Sequence, residues 1–387
     1  MKGIVRFMRI RTFSLILFVC SLTACSTKQQ EIEKTFSECQ RGFIESIGNQ
    51  FVETPYGYYA LVGDYLGYLD ENMDNLTLVC SKPDCLHNQE EKENVIDCNA
   101  FAGGAVAIQY HEGKIYTGGD FTSAFVFYGD DILCYEKRYE SGQSNPKSVI
   151  IRFPVESPEK EKIIYENSDF AEANINNFMV YEDYCYFRLD ESGAETDDGT
   201  GWIAHGMKID LKTNEVKKCC EFANRGFLVG KDRLICRQLL EYDTELWTGS
   251  YKYYECTLDG EKLREITKED YKALDDNTNL ILLDDEYVYL SDINYGGGEV
   301  PASERYIYVY TYSGTLVAKI PTGEYSIAVN YLSGNEKYFI IKDRSGEEEN
   351  RELVCYVVDK SKFGKGACVS AREVIRVPLG EYTGYTY

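Results

Sequence analysis

Three cysteines and a histidine lie close together near the start of the chain and could bind a metal ion. Cys80, Cys85, His87 and Cys98 offer a Cys3His ligand set within "LVCSKPDCLHNQEEKENVIDCNA", and structural zinc sites use that combination. An extended backbone would put Cys85 and His87 on one face, because alternate residues of a strand share a face. The spacing matches no standard zinc finger. A structural zinc ion, a disulfide between two of the cysteines and unlinked thiols are therefore three competing interpretations.

The rest of the sequence offers little recognisable catalytic chemistry, and no catalytic residue is assigned. The chain has three histidines and no G-x-S-x-G, H-E-x-x-H or phosphate-loop motif. His205 is expected at the end of a strand. Trp202, Tyr242 and Trp247 lie in irregular stretches among acidic residues, where exposed rings suit sugar faces or peptide side chains. We predict these three as ligand-binding residues, with loop packing as the alternative.

The elements that must position these residues follow from a repeat. A turn carrying Gly, Asp or Glu leads into an alternating aromatic strand six times, roughly 50 to 70 residues apart, in copies that begin at Thr54, His111, Tyr181, Gly230, Asp284 and Gly334. A short apolar run precedes each copy. Two further strands follow most copies, joined by tight turns such as "TLDGEK" and "TYSGTL".

Four strands per unit at such a period predict an all-β fold, specifically a β-propeller. Six four-stranded blades are the first prediction. Seven blades are the alternative, with a degenerate blade between residues 120 and 175. The N-terminal segment or the C-terminal "RVPLGEYTGYTY" is expected to supply a strand that closes the ring.

The N-terminus predicts export and lipid anchoring. Four basic residues precede a mostly apolar run of about ten residues, which is too short to cross a bilayer but suits a signal peptide. The run ends in Leu22-Thr23-Ala24-Cys25, which resembles a bacterial lipobox. The resemblance implies cleavage before Cys25 and acylation of its sulfur. The predicted organisation is a signal peptide over 1–24, a tether over 25–49 and a propeller over 50–387.

Charge and cysteine content limit the functions that this chain can have. The whole chain carries a formal charge of −23, and loss of the four positive charges of the signal gives −27 for the mature protein. Nucleic acid would repel such a polyanion, so a nucleic-acid partner is not expected. A domain of this size buries enough core without disulfides. We therefore expect many of its thiols to be free, including Cys236 in a strand context and the adjacent Cys219 and Cys220, for which a strained vicinal disulfide is the alternative.

The acidic turns before Tyr-x-Tyr strands ("EDYCY", "DEYVY"), the lipobox and the C-x4-C-x-H segment together resemble propeller lipoproteins of anaerobic gut-type bacteria. The repeats of those proteins are in turn similar to six-bladed TolB-like and YWTD-type propellers. The resemblance implies a fold and a location on the extracytoplasmic face of the membrane, but no activity. A module that binds a protein, peptide or glycan is the leading hypothesis. A propeller lyase or hydrolase with a site in the central channel and a structural subunit of an envelope complex are the alternatives.

Overall fold

A computed structural model describes most of the chain after residue 50. The described residues are 41–42, 51–62, 65–82, 98–102, 107–118, 125–138, 147–167, 173–192, 201–230, 232–243, 248–274, 278–291, 305–322, 333–345 and 352–378. Their regular structure consists of β-strands and the short 3-10 helices Pro158–Lys160 and Lys360–Lys362. These residues form no helix with the length and apolar character needed to cross a membrane.

Six antiparallel sheets form the six blades of a β-propeller, which confirms the predicted fold class and blade number. Blade 1 contains β2 to β5 (Phe51–Thr54, Gly57–Val62, Tyr65–Leu69, Leu76–Leu78), and blade 2 contains β8 to β11 (Phe125–Tyr128, Asp131–Arg138, Lys147–Pro154, Lys162–Glu166). Blade 3 contains β12 to β15 (Ala173–Tyr181, Tyr184–Ser192, Trp202–Asp210, Val216–Cys219), and blade 4 contains β16 to β19 (Phe227–Val229, Leu234–Asp243, Thr248–Cys256, Lys262–Ile266). Blade 5 contains β20 to β23 (Asn279–Leu283, Tyr287–Ser291, Tyr306–Thr311, Leu316–Pro321), and blade 6 contains β24, β25, β26 and β28 (Ser333–Gly334, Tyr338–Ser345, Glu352–Asp359, Arg372–Pro378). The remaining strands are β1 (Arg41–Gly42), β6 (Ala107–His111), β7 (Lys114–Gly118) and β27 (Ala367–Cys368).

Burial differs between the inner and outer strands of a blade because each blade packs between two neighbours. In β21, the four residues that follow Tyr287 are all buried. The outer strands β15 and β19 are exposed except for their last residues. An inner strand that is covered on both faces reads as a continuous apolar run rather than a strict alternation.

The copy of the repeat that begins at His111 belongs to a two-stranded hairpin and not to a four-stranded blade. This hairpin, β6 with β7, lies between blades 1 and 2. Ile108 packs against Leu61 and Leu66 of blade 1, whereas Tyr116 packs against Phe125 of blade 2. Blade 2 itself occupies the interval that the seven-blade alternative reserved for a degenerate blade.

The ring closes where blade 6 packs against blade 1. Ile340 and Cys355 share an apolar cluster with Phe51 and Tyr58. Glu53 of blade 1 accepts hydrogen bonds from Asn335 at 2.6 Å and Lys337 at 2.5 Å. Ile375 of β28, the outer strand of blade 6, packs in the same cluster, whereas most of the predicted closing segment "RVPLGEYTGYTY" lies outside the described residues.

The N-terminal strand has a different role from the predicted one. β1 pairs antiparallel with β20 of blade 5, with Arg41 opposite Leu283 and Gly42 opposite Leu282. The first strands of adjacent blades contact one another around the ring axis, for example β16 and β20, and β1 contacts β16 as well. β1 therefore lies among the innermost strands and does not join blade 1 to blade 6.

Strand direction divides the chain connections between two faces of the ring. Successive strands of a blade are antiparallel, so the connections alternate between the two ends of the strands. We call the face with the second-to-third-strand connections and the blade-to-blade connections the upper face. The turns between first and second strands and between third and fourth strands lie on the lower face.

A buried ion pair links blades 5 and 6 near the lower face. Asp284 occupies the acidic turn between β20 and β21, and its Oδ1 accepts the N–H groups of Glu286 at 2.9 Å and Tyr287 at 2.7 Å. Its Oδ2 accepts the Tyr289 hydroxyl at 2.6 Å and Lys360 Nζ of blade 6 at 2.7 Å. The side chains of Asp284 and Lys360 are 5% and 7% exposed, so the recurring acidic turn also joins neighbouring blades.

Candidate functional site

Two long hairpins rise from the upper face on neighbouring blades. In blade 3, β13 pairs with β14 up to Ser192 and Trp202, whereas the outer strand β15 pairs only with residues 206–209. In blade 4, β17 pairs with β18 up to Asp243 and Thr248, whereas β19 pairs only with residues 253–256. Each hairpin therefore extends about four or five residues past its outer strand, or roughly 15 Å at 3.4 Å per residue.

The structure brings two of the three predicted ligand-binding residues to corresponding places. Trp202 is the first residue of β14 and pairs with Ser192. Tyr242 lies near the end of β17 and pairs with Gly249. Both positions are at the upper ends of the two hairpins, so the backbones that carry these aromatic residues belong to the same face. Trp247 lies outside the described residues.

A polar cluster lies below the hairpins, between blades 3 and 4, and we call it the blade 3–4 cluster: Asn176, Arg188, Asp190, Asn224 and Arg225. Arg188 donates to Asp190 through Nε at 2.6 Å and through Nη2 at 2.7 Å. Asn176 Nδ2 donates to the same carboxylate at 2.7 Å. Arg188 and Asp190 are each 4% exposed. A two-point Arg–carboxylate contact fixes both side chains in one orientation.

The connection from blade 3 to blade 4 completes this cluster. Asn224 Oδ1 accepts the backbone N–H of Leu239 at 2.9 Å, and Arg225 donates to the Asn224 carbonyl oxygen at 2.8 Å. The next residue, Gly226, has φ +83°, and a Cβ there would lie 2.8 Å from the Arg188 Cδ. The connection therefore needs glycine in order to approach the arginine closely.

The charged members of the blade 3–4 cluster are all buried. Arg188 is paired with Asp190, and Arg225 donates to the Asn224 carbonyl oxygen. Arg237, in the neighbouring β17, lies with its guanidinium carbon 4.7 Å from the centroid of the Tyr251 ring. Guanidinium groups recognise carboxylates and stack on aromatic faces. The cluster therefore links β13, the connection between the blades and β17 at the base of the two hairpins.

His205 forms a separate pair on the other side of blade 3. It lies inside β14 and not at a strand end, and its Nε2 is 2.9 Å from Glu191 Oε2. His205 and Glu191 lie on the same face of blade 3 as Leu189 and Met207, and this face packs toward blade 2. The blade 3–4 cluster is on the opposite face, so the two groups do not form one site.

A surface depression of about 400 Å³ lies at the outer edge of blades 2 and 3. It is lined by Ile164, Tyr165, Glu166, Met207, Val216, Lys217 and Lys218. None of the predicted site residues lines it. It is therefore separate from the upper-face hairpins.

The predicted metal segment is only partly within the described residues. Cys80 and Cys98 belong to one small apolar cluster with Tyr65 and Ala100, so these two cysteines are close in the fold. Cys85 and His87 lie outside the described residues, as does the predicted lipidation site Cys25. The zinc site, the disulfide and the lipid anchor therefore stay predictions.

The expectation of free thiols is wrong for one pair of cysteines. Cys220 and Cys236 form a disulfide across 16 residues, with their Cα atoms 6.7 Å apart. Cys220 lies on the connection between blades, which folds back against β17, and this packing brings it to Cys236. The expectation holds for Cys134 and Cys185, which are buried and not disulfide-bonded.

Comparison with known proteins adds little. No protein-family model and no curated protein matches the chain. Among solved structures, dipeptidyl peptidase 4 from Porphyromonas gingivalis is 10% identical with a TM-score of 0.37, covering 87% of this chain and 53% of that one. The tricorn protease is 9% identical with a TM-score of 0.46, covering 92% of this chain and 36% of that one. The chain thus spans about half the length of the first and about a third of the second, and no activity follows from similarities at this level.

Proposed function

We propose that the chain is a membrane-anchored, extracytoplasmic β-propeller lipoprotein that binds a protein, peptide or glycan at the upper face of blades 3 and 4. The observation that carries the binding role is the pair of projecting hairpins, since each carries one of the predicted aromatic residues, Trp202 or Tyr242, near its upper end. The lipobox supports the anchored location.

The blade 3–4 cluster supports the same role. The buried Arg188–Asp190 pair and the hydrogen bond from the Leu239 N–H to Asn224 fix the strands at the base of both hairpins. Aromatic rings bind sugar faces and peptide side chains through their apolar surfaces. Such a site needs no general base or nucleophile, which agrees with the shortage of histidine in the sequence.

Binding can be tested with full-length lipoprotein in detergent, probed with a glycan array and a bead-displayed peptide library. We expect the parent to retain members of at least one probe set, and Trp202→Ala or Tyr242→Ala to weaken that binding at least tenfold. Tyr56→Ala is the matched control, because Tyr56 is 58% exposed in the β2–β3 turn on the lower face. Equal binding by all four proteins would remove the assignment to the upper face.

The anchor has an independent test in the native bacterium. Metabolic labelling with an alkyne-tagged palmitate should label the parent and place it in the membrane fraction. Cys25→Ser should abolish both, whereas Cys20→Ser, within the signal peptide, should leave both unchanged. A label that persists in Cys25→Ser would contradict acylation at this sulfur.

A further inference from the structure

A second group of cysteines meets between blades 3 and 4, away from the segment that the sequence singled out. The Sγ atoms of Cys220, Cys236 and Cys256 all lie within 4.8 Å of one another. Their residues are 4%, 0% and 0% exposed. Cys220 comes from the blade-to-blade connection, Cys236 from β17 and Cys256 from the end of β18. Three separate chain segments thus converge on one point in the interior.

The backbone around this point is shaped for close approach. Cys220 has φ 54°, in the left-handed region that non-glycine residues seldom adopt. The lower turn of blade 4 presses on it through Gly260 (φ +87°), where a Cβ would lie 2.5 Å from the Cys220 nitrogen. Cys219 is buried in the same apolar cluster. The fold therefore holds the three sulfurs together by strained backbone on one side and tight packing on the other.

The disulfide between Cys220 and Cys236 accounts for only two of the three sulfurs. Cys256 is not disulfide-bonded, and its thiol donates to the Tyr254 carbonyl oxygen at 3.7 Å. The third sulfur is therefore a thiol that a backbone carbonyl group holds in place and that the disulfide does not use.

We propose that Cys220, Cys236 and Cys256 form a binding site for a monovalent copper ion in the reduced protein. A dithiol reductant supplies two electrons and two protons to the Cys220–Cys236 bond, which becomes two thiols while the reductant becomes a disulfide. Copper then replaces thiol protons on the sulfurs, and the protons leave to solvent.

Geometry and ligand type favour this ion. Metal–thiolate bonds of about 2.3 Å place three sulfurs around one ion at about 4 Å from each other. The observed separations of up to 4.8 Å therefore require small movements and the opening of the disulfide. Thiolates select soft ions such as Cu(I), and three of them complete a trigonal shell. A structural zinc ion takes four ligands.

The test uses full-length protein with Cys85→Ser, so that the predicted zinc segment does not contribute. The protein is reduced with dithiothreitol, transferred to anaerobic buffer and titrated with Cu(I) in the presence of bicinchoninate as competitor. We expect one copper per chain that resists the competitor. Adding Cys256→Ser should weaken that binding at least 100-fold, whereas adding Cys134→Ser, a buried thiol of blade 2, should not.

Two further measurements keep the proposal open to refutation if Cys256→Ser folds poorly. Oxidised protein with the Cys220–Cys236 bond intact should not bind copper at this site. X-ray absorption at the copper edge of the reduced parent should show three sulfur neighbours. Nitrogen or oxygen ligands, retention of zinc in place of copper, or unchanged binding in folded Cys256→Ser would each overturn the assignment.

Discussion

Replacing Lys360 with methionine should remove the ion pair between blades 5 and 6 and lower the free energy of unfolding, while it leaves the local packing almost unchanged. Methionine keeps much of the apolar stem of lysine but removes the ammonium group that donates to Asp284 Oδ2 at 2.7 Å. The carboxylate would then remain buried without its counter-ion, because the side chain of Asp284 is only 5% exposed.

The expected loss of unfolding free energy depends on the hydrogen bonds that Asp284 still accepts. Removing one member of a buried ion pair costs about 3–5 kcal/mol. Two backbone N–H groups and the Tyr289 hydroxyl still donate to the carboxylate, so we expect the lower end, about 3 kcal/mol. With a urea dependence of about 3 kcal/mol per molar, the unfolding midpoint should fall by about 1 M.

Urea unfolding followed by tryptophan fluorescence measures this change. Lys362→Met is the matched control, because Lys362 is exposed in the same short helix. It should lower the free energy of unfolding by less than about 0.5 kcal/mol, which is the usual limit for surface substitutions. The double variant with Asp284→Asn should recover part of the loss, since no uncompensated charge is left. Equal effects of the two lysine substitutions would refute the conclusion that the ion pair is desolvated.

Three further results are expected. Gly260→Ala should cost more than about 2 kcal/mol in urea unfolding, since its Cβ would meet backbone 2.5 Å away, whereas Gly113→Ala, also at positive φ but in open space, should cost only about 1 kcal/mol; equal costs would contradict the close approach. The Lys208 ammonium hydrogen-bonds to Asp259 and lowers the pKa of that carboxyl. This stabilisation is complete above the unfolded pKa near 3.9 and is lost as pH falls through the lower folded pKa. Urea unfolding at pH 6 and below pH 4 should therefore show a smaller loss of stability in acid for Lys208→Met than for the parent. Arg372→Ala should change stability by less than about 1 kcal/mol, because the ion pair that it makes at ring closure is about half exposed; a larger loss in thermal melting would show that this contact is more important than its exposure indicates.

The fold could be predicted from the sequence because its signals are local. The turn-and-strand pattern marks blades 1, 3, 4, 5 and 6, and the Asp284 turn shows why, since the carboxylate satisfies backbone N–H groups of the turn itself. Sheet membership is not local. The hairpin that contains His111 has the same turn-and-strand pattern as the blades, yet its two strands pair only with each other in the described residues.

Part of the blade 3–4 cluster can be recognised in the sequence, although the signal is weaker than that of the repeat. Arg188 and Asp190 are two residues apart in "YFRLDE", so they share one face of an otherwise apolar strand. Two opposite charges on a buried face indicate an ion pair. Their partner Asn176 comes from the preceding strand, and Gly226 of the following connection lies against Arg188. That assembly depends on blade stacking, which no single segment encodes.

The disulfide was beyond sequence reasoning for the same reason. Cys220 and Cys236 are separated by a loop and a first strand, and the apolar strand context of Cys236 is equally typical of a packed thiol. Only the return of the blade-to-blade connection against β17 brings their sulfurs together.

The pairing of Arg41 and Gly42 with β20 determines the face of the propeller at which an N-terminal lipid anchor would join it. Leu283 is next to the lower turn and pairs with Arg41, so β1 runs from the lower face toward the upper face. With acylation at Cys25, as proposed, the leash to Arg41 covers 16 residues and reaches at most about 55 Å. An anchor of this kind would connect the bilayer to the lower face of the propeller, opposite the face from which the two hairpins project.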